Sequence, residues 1–141
     1  MPTGIKLNSS EIQAFYSHQI GMQGVDIHQK TYEVEKHAKK LAQQLSCIIV
    51  VTGAIDFITD GERIAYVQEG HSMMSKVTAM GCTATGIVGA FLAVNSDPLE
   101  ASFHAMKAMG IAGRRAASQS RGNGSMMINF LDELSNLMAY V

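Results

Sequence analysis

Apolar positions along this chain change their period several times, and each change predicts an element. Ile5 to Leu7 is short and alternating, as at a strand end. It runs into Asn8-Ser9-Ser10-Glu11, where an Asn followed three residues later by Glu is the pattern of a capped helix start. Ile12, Phe15 and Tyr16 supply the following turns with an apolar face, and the glycines of Gly21 to Asp26 predict a loop. From about Gln29 to Leu45 the apolar residues Val34, Ala38, Leu41, Ala42 and Leu45 recur at three- and four-residue steps, with Glu33, Glu35, Lys36, Lys39 and Lys40 on the other sides. That is the spacing of an amphipathic helix. The β-branched run Cys47 to Gly53 does not alternate, which predicts a strand buried on both faces, as in a parallel sheet.

Ile55 to Thr59 and Arg63 to Val67 are short strand-like runs joined by Asp60-Gly61, a hairpin signal. After a loop from Glu69 to Ala79, the apolar segment Gly81 to Val94 has a helical length. Asn95-Ser96-Asp97-Pro98 supplies a stop and a new start, with Pro98 in the first turn of a helix reaching about Ser120. Arg121 to Ser125 reads as a turn. A final helix from about Ser125 to Tyr140 would place Met127, Phe130, Leu131, Leu134, Leu137 and Met138 on its apolar side. The result is an α/β chain read as one domain over residues 1–141, with helices dominating its last third. Two strand runs of parallel type do not make a sheet that several apolar helices can cover on both faces, so further strands are expected from elsewhere.

Composition narrows the class without choosing a chemistry. Hydrophobic residues form 47% of the 141 and charged residues 16%, enough for a core and unlike a disordered chain. Eleven Lys and Arg against 12 Asp and Glu leave a net charge of -1, which offers no electrostatic reason to bind nucleic acid or an anionic membrane. Cys47 and Cys82 stand alone, without a CxxC or a second pair. No charged leader followed by an apolar segment begins at Met1, and the longest apolar stretch, Ile87 to Val94, is far below the roughly 20 residues of a membrane span. The cytoplasm is the expected location. His18, His28, His37, His71 and His104 show no metal-ligand spacing, and His37 and His104 fall on predicted helices as surface or packing residues. Met106, Met109, Met127 and Met138 are expected to fill the core, and Arg114 and Arg115 to face solvent.

Chemistry is suggested most strongly at Ala79-Met80-Gly81-Cys82-Thr83, small residues that open an apolar helix. Unpaired amides near Gly81, Cys82 and Thr83 would attract an anion, phosphate above all. The plain alternative at Cys82 is a buried cysteine in a tight helix start. At Asn8 and Glu11 it is a helix cap beside a solvent-facing carboxylate, and at Thr52 a polar residue ending a strand.

The ordered set Val50-Val51-Thr52-Gly53, Asp56 to Arg63, Gly70-His71, Lys76-Val77-Thr78, Gly81-Cys82 and Gly89 to Val94 resembles the hydroxyethylthiazole kinases. The likeness extends through Asn8 to Ile12, Gly24-Val25-Asp26 and Gly122 to Ser125, essentially the whole chain. It implies the C-terminal half of a ribokinase-like three-layer fold: an incomplete parallel sheet, a hairpin and a helix-rich C-terminus. The implied activity is transfer of the ATP γ-phosphate to the hydroxyl of 4-methyl-5-(2-hydroxyethyl)thiazole in thiamine salvage, with Mg²⁺.

On that resemblance Cys82 stands beside the substrate hydroxyl, where related sugar kinases carry an aspartate base. Gly81 forms the anion hole, and Ala79 falls at a position close to substrate. Asn8 and Glu11 match an Asn-x-x-Glu element that helps place magnesium and phosphate oxygens. Thr52 and Gly53 match the ATP-contacting strand end, and Lys6 stands where the family has an ATP-binding arginine, keeping the charge without the planar fork. Ala79-Met80 departs from the family's Gly-Thr or Gly-Ala, and alanine restricts the backbone there. The family's N-terminal half, with further strands, acidic magnesium-site residues and part of the thiazole pocket, has no counterpart here. The resemblance also implies trimers, or complementation by that N-terminal half. A second reading is a non-catalytic, self-associating or partner-binding α/β module.

Overall fold

The structure is a computed structural model that describes residues 2–17 and 27–137, without the side chains of residues 17 and 27–30. The expected Gly21 to Asp26 loop, His18, Met138, Tyr140 and the side chain of His28 lie outside the described residues. The chain divides into two compact units, Met1–Tyr66 and Val67–Val141.

The first unit holds β1 (Gly4–Asn8), α1 (Ser9–Ser17), α2 (Ile27–Leu45), β2 (Ile48–Thr52), β3 (Asp56–Thr59) and all but the last residue of β4 (Ile64–Val67). The strands form one sheet in the order β1-β2-β3-β4. β1 and β2 are parallel, with Gly4 opposite Ile48 and Asn8 opposite Thr52. The run at β2 predicts a parallel sheet, and the sheet is mixed: β3 pairs antiparallel with β2, with Val51 opposite Phe57. The three residues between β2 and β3 cannot make the crossover that a parallel return requires. β2 is nonetheless buried on both faces, as its unbroken apolar run predicts.

Strand alternation sorts the side chains. Ile49, Val51 and Phe57 join Ile12 and Tyr16 of α1 and Val34, Ala38, Leu41 and Ala42 of α2 in one apolar cluster, against which Ile5 and Leu7 pack. Lys6, Asn8, Val50 and Thr52, at the alternate positions, face the other side of the sheet. Phe15 is expected on the apolar face of α1 but is 55% exposed. Ile12 and Tyr16, one turn apart, occupy the line that meets the sheet and α2. The β3–β4 hairpin turns at Gly61, whose φ of 99° suits glycine. A Cβ there would stand 2.5 Å from Gln43 Cγ and 3.1 Å from the Gln43 amide nitrogen.

The second unit is helical: a 3-10 turn over Ser72–Lys76, then α3 (Met80–Leu92), α4 (Pro98–Gln119) and α5 (Asn123–Asn136). α3 and α5 both pack on α4, which buries Ala101, Ala105, Met106, Met109, Ala112 and Ala116. Asp97 caps α4 by accepting from the Leu99 and Glu100 amides, and Pro98 takes the first turn where its missing N–H costs nothing. Gly110 and Gly113 admit close approach of Glu69 and Met74.

α5 departs from expectation in start and face. It begins at Asn123, where Ser125 Oγ accepts from the Gly122 amide at 3.2 Å. It buries Met126 and Phe130, while Met127 and Leu131 are 49% and 56% exposed. Met126 and Phe130 lie one turn apart on the inward line, and each next residue is rotated about 100° away. Met127 is therefore not a core methionine, whereas Met106 and Met109 are.

Candidate active site

In the first unit, parallel pairing brings the carboxyl ends of β1 and β2 together, with Asn8 beside Thr52, and α1 starts at the next residue, Ser9. Open α/β sheets bind ligands at such strand ends. Asn8 and Glu11 hold one another: the Glu11 amide donates to Asn8 Oδ1 at 2.8 Å, and the Asn8 amide donates to Glu11 Oε2 at 2.7 Å. This reciprocal cap satisfies two amides and leaves Glu11 exposed, with Oε1 outside the cap. Thr52 Oγ1 donates to the Leu7 carbonyl at 3.4 Å, a long bond that ties β2 to β1 at the same end. A Cβ on Gly53 would lie 4.0 Å from Ser9 Oγ, so the turn after β2 runs close to the start of α1. Lys6 lies two residues before Asn8, on the face of the sheet it shares with Thr52.

One more residue belongs to this group, and its role is not visible in the sequence. Asp56 begins β3, is only 8% exposed, and its Oδ1 accepts the Gly53 amide at 3.0 Å. Burial pushes its carboxyl up to about 6, while the Gly53 amide and the Lys6 ammonium pull the other way. The sequence signal that could have found it is an ionisable residue immediately before the apolar run Phe57-Ile58.

In the second unit, Ala79 is the N-cap of α3 and adopts a left-handed conformation, φ 67° and ψ 8°. No side chain caps the helix there, and the Ala79 carbonyl accepts from the Thr83 amide at 2.9 Å. The amides of Met80, Gly81 and Cys82 lie ahead of that first helical bond, at the positive end of the helix. Ala79, Gly81 and Cys82 are exposed. The plain alternative of a buried structural thiol fits Cys47, which is buried, and not Cys82. The residues of the expected site thus fall into two groups: Lys6, Asn8, Glu11, Thr52 and Gly53 in one unit, and Ala79, Gly81 and Cys82 in the other.

Of the expected bystanders, His37 stacks on Tyr16 with ring centroids 4.1 Å apart, and His71 Nδ1 accepts the Met73 amide at the 3-10 turn. Arg114 is exposed and pairs with Glu69 at 3.1 Å. No three His, Cys, Asp or Glu side chains gather into a metal-holding cluster among the described residues.

A mixed sheet followed by a helical unit makes this an α/β protein of ribokinase-like fold. Structural neighbours agree. A hydroxyethylthiazole kinase protein from Pyrococcus horikoshii superposes with a TM-score of 0.80 at 31% identity, over 93% of this chain and 48% of that one. A Bacillus subtilis member of the UPF0031 family superposes with a TM-score of 0.71 at 21% identity, a likeness of fold alone. Residues 2–140 match the sequence pattern of the Hydroxyethylthiazole kinase family. Hydroxyethylthiazole kinases of Desulfotalea psychrophila and Thermoanaerobacter pseudethanolicus are each 42% identical, over 94% of this chain and 49% and 51% of their own lengths. The chain belongs to the Hydroxyethylthiazole kinase family, and it spans about half the length of the curated relatives it matches.

Proposed function

We propose that the chain is the carboxy-terminal part of a single kinase domain that transfers the γ-phosphate of ATP to the hydroxyl of 4-methyl-5-(2-hydroxyethyl)thiazole in thiamine salvage. It acts with the remainder of the family's domain, whether that is carried on this polypeptide or on another. The family match runs across both units, which supports one domain over residues 1–141.

The observation that carries the reading is the start of α3. A left-handed Ala79 with no side-chain cap leaves the first-turn amides for a ligand, and the exposed Cys82 sits among them. Phosphoryl transfer needs positioning and charge stabilisation more than covalent help from the protein. The amides of Gly81 and Cys82 suit the anionic group in transit, and the Cys82 thiol suits a place beside the attacking hydroxyl, with Ala79 lining the substrate side.

The first unit offers the nucleotide side of the reaction. Lys6 supplies a positive charge, and Thr52, Gly53 and Asn8 supply polar groups at the strand ends. Magnesium fits these residues in a limited way. Glu11 is one exposed carboxylate already held by Asn8, and no larger acidic cluster is present among the described residues. The ion commonly keeps several waters and binds through one or two carboxylates plus substrate phosphates, so Glu11 would hold it through water. When bound, Mg²⁺ supplies charge neutralisation on the phosphate oxygens.

The expected setting is the cytoplasm; no helix among the described residues is long and apolar enough to cross a membrane. The test is thiazole-dependent ADP formation by the chain combined with the rest of the domain. Turnover should appear, and Cys82→Ala should lower it; turnover no higher than the Cys82→Ala control defeats the proposal. A second reading, a non-catalytic self-associating module, draws on Met127, Ile128 and Leu131, which α5 leaves 49%, 60% and 56% exposed. Sedimentation and calorimetry separate the two: a defined oligomer with no nucleotide binding favours the module, micromolar ATP affinity the kinase.

A further inference from the structure

Asp56 is the one buried carboxylate among the described residues, and the proposed reaction leaves it without a task. Burying an ionisable carboxyl is costly, and an asparagine would offer the Gly53 amide the same acceptor without that cost. What only a carboxylate adds is charge.

The register shows where the charge is directed. β2 and β3 pair Val51 with Phe57 and Val50 with Ile58, so Asp56 stands one step further on, across from Thr52. Residues directly opposite on neighbouring strands share a face. Asp56 therefore lies on the same face as Thr52, and Lys6, on the far neighbour of β2, shares that face too. Lys6 is the charged group that acts on Asp56. The other elements around it offer no competitor: β2 carries no ionisable residue, Glu11 of α1 is engaged with the Asn8 amide, and Tyr66 of β4 bonds Glu35 and meets the Phe57 ring on the opposite face.

We propose that Asp56 is the positioning residue of the Thr52–Gly53 turn: its carboxylate fixes the Gly53 amide and draws the Lys6 ammonium over Thr52, setting the turn and the cation in one arrangement. The inference rests on the reading of these strand ends as the nucleotide side of the site. Asp56 touches no reacting atom; it acts through Gly53 and Lys6. Its elevated ionisation point means that the arrangement loosens as the pH falls through about 6.

The test uses the ¹⁵N-labelled chain and follows the Gly53 amide. In the wild type its resonance should shift with an inflection near pH 6. Asp56→Asn should abolish the inflection while keeping slow exchange with solvent, because the acceptor remains. Asp56→Ala should speed exchange at Gly53 at least about tenfold. Mg-ATP titrations at pH 7.5 add a second arm: affinity should fall at least about tenfold in Asp56→Ala and should fall in Asp56→Asn as well, which keeps the acceptor for Gly53 but loses the charge that holds Lys6. An inflection that persists in Asp56→Asn overturns the proposal, as does Gly53 exchange equally slow in wild type and Asp56→Ala. If Asp56→Ala does not fold, the comparison of wild type with Asp56→Asn still decides. Absence of ATP binding by the wild type would count against the nucleotide reading, and the Gly53 resonance would judge Asp56 independently.

Discussion

Replacing Ala79 by glycine should stabilise this protein, although alanine-to-glycine changes at ordinary helix positions do the reverse. Ala79 holds φ at 67° and ψ at 8°. An L-residue in the left-handed region loses roughly 1–2 kcal/mol to the contact between its Cβ and backbone oxygen, a term glycine lacks. Against this, glycine adds freedom to the unfolded chain worth roughly 0.5–1 kcal/mol. The balance favours Ala79→Gly by about 0.5–1 kcal/mol, or roughly 2–4 °C in melting temperature for a chain of this size. Ala90, exposed within α3, is the control: Ala90→Gly should cost about 1 kcal/mol, because its backbone is helical and nothing is relieved. Calorimetric melting of the two variants beside the wild type measures both signs. Should Ala79→Gly lower the midpoint as far as Ala90→Gly does, the left-handed turn carries no strain. The claim that the start of α3 is held in a demanding conformation would then fail.

Other perturbations read other parts of the molecule. Asp56→Asn should change how stability varies with pH. The folded carboxyl sits near 6 against an ordinary 3.8, so the native state holds its proton more tightly than the unfolded chain does. Its contribution is full below about pH 4 and is lost as the pH rises through 6. At roughly 1.4 kcal/mol per pH unit the loss approaches about 3 kcal/mol, and urea melts of Asp56→Asn should lack that decline. Asn8→Ala removes the acceptor of the Glu11 amide and should cost about 1 kcal/mol in the same assay. An unchanged midpoint would mean that the cap contributes nothing. Gly110→Ala would place a Cβ 2.5 Å from Glu69 Cβ and 2.9 Å from its carbonyl carbon. It should destabilise by about 1–3 kcal/mol despite the better helix propensity of alanine, and a gain in stability would show that Glu69 moves aside freely.

What could be read from the sequence, and what could not, follows from the range over which each signal acts. Caps and turns are local. Asn8 to Glu11, Asp97-Pro98 and Asp60-Gly61 each name their own partners within four residues, and each is found where expected. The helix start at Gly81 is local too, and its anomaly, an alanine where glycine would be at ease, lies in the residues themselves. Faces are less local. Phe15 and Met127 have the right character for a core but miss it by one position around their helices, because the inward line is chosen by the partner surface and not by the helix itself. Register is the least local of all. Asp56 reads as one more polar residue near a turn until the antiparallel return of β3 sets it opposite Thr52 and two strands from Lys6, buried where its charge is costly. The residues whose roles resemblance alone supplies, Cys82 and Glu11, are both exposed and neither gathers a wider constellation among the described residues. On the proposed reading, such groups act on what is brought to them. The chemistry proposed for such a site needs the nucleotide and the alcohol in place, whereas the residues that hold its frame, Asp56 first among them, can be identified from the frame itself.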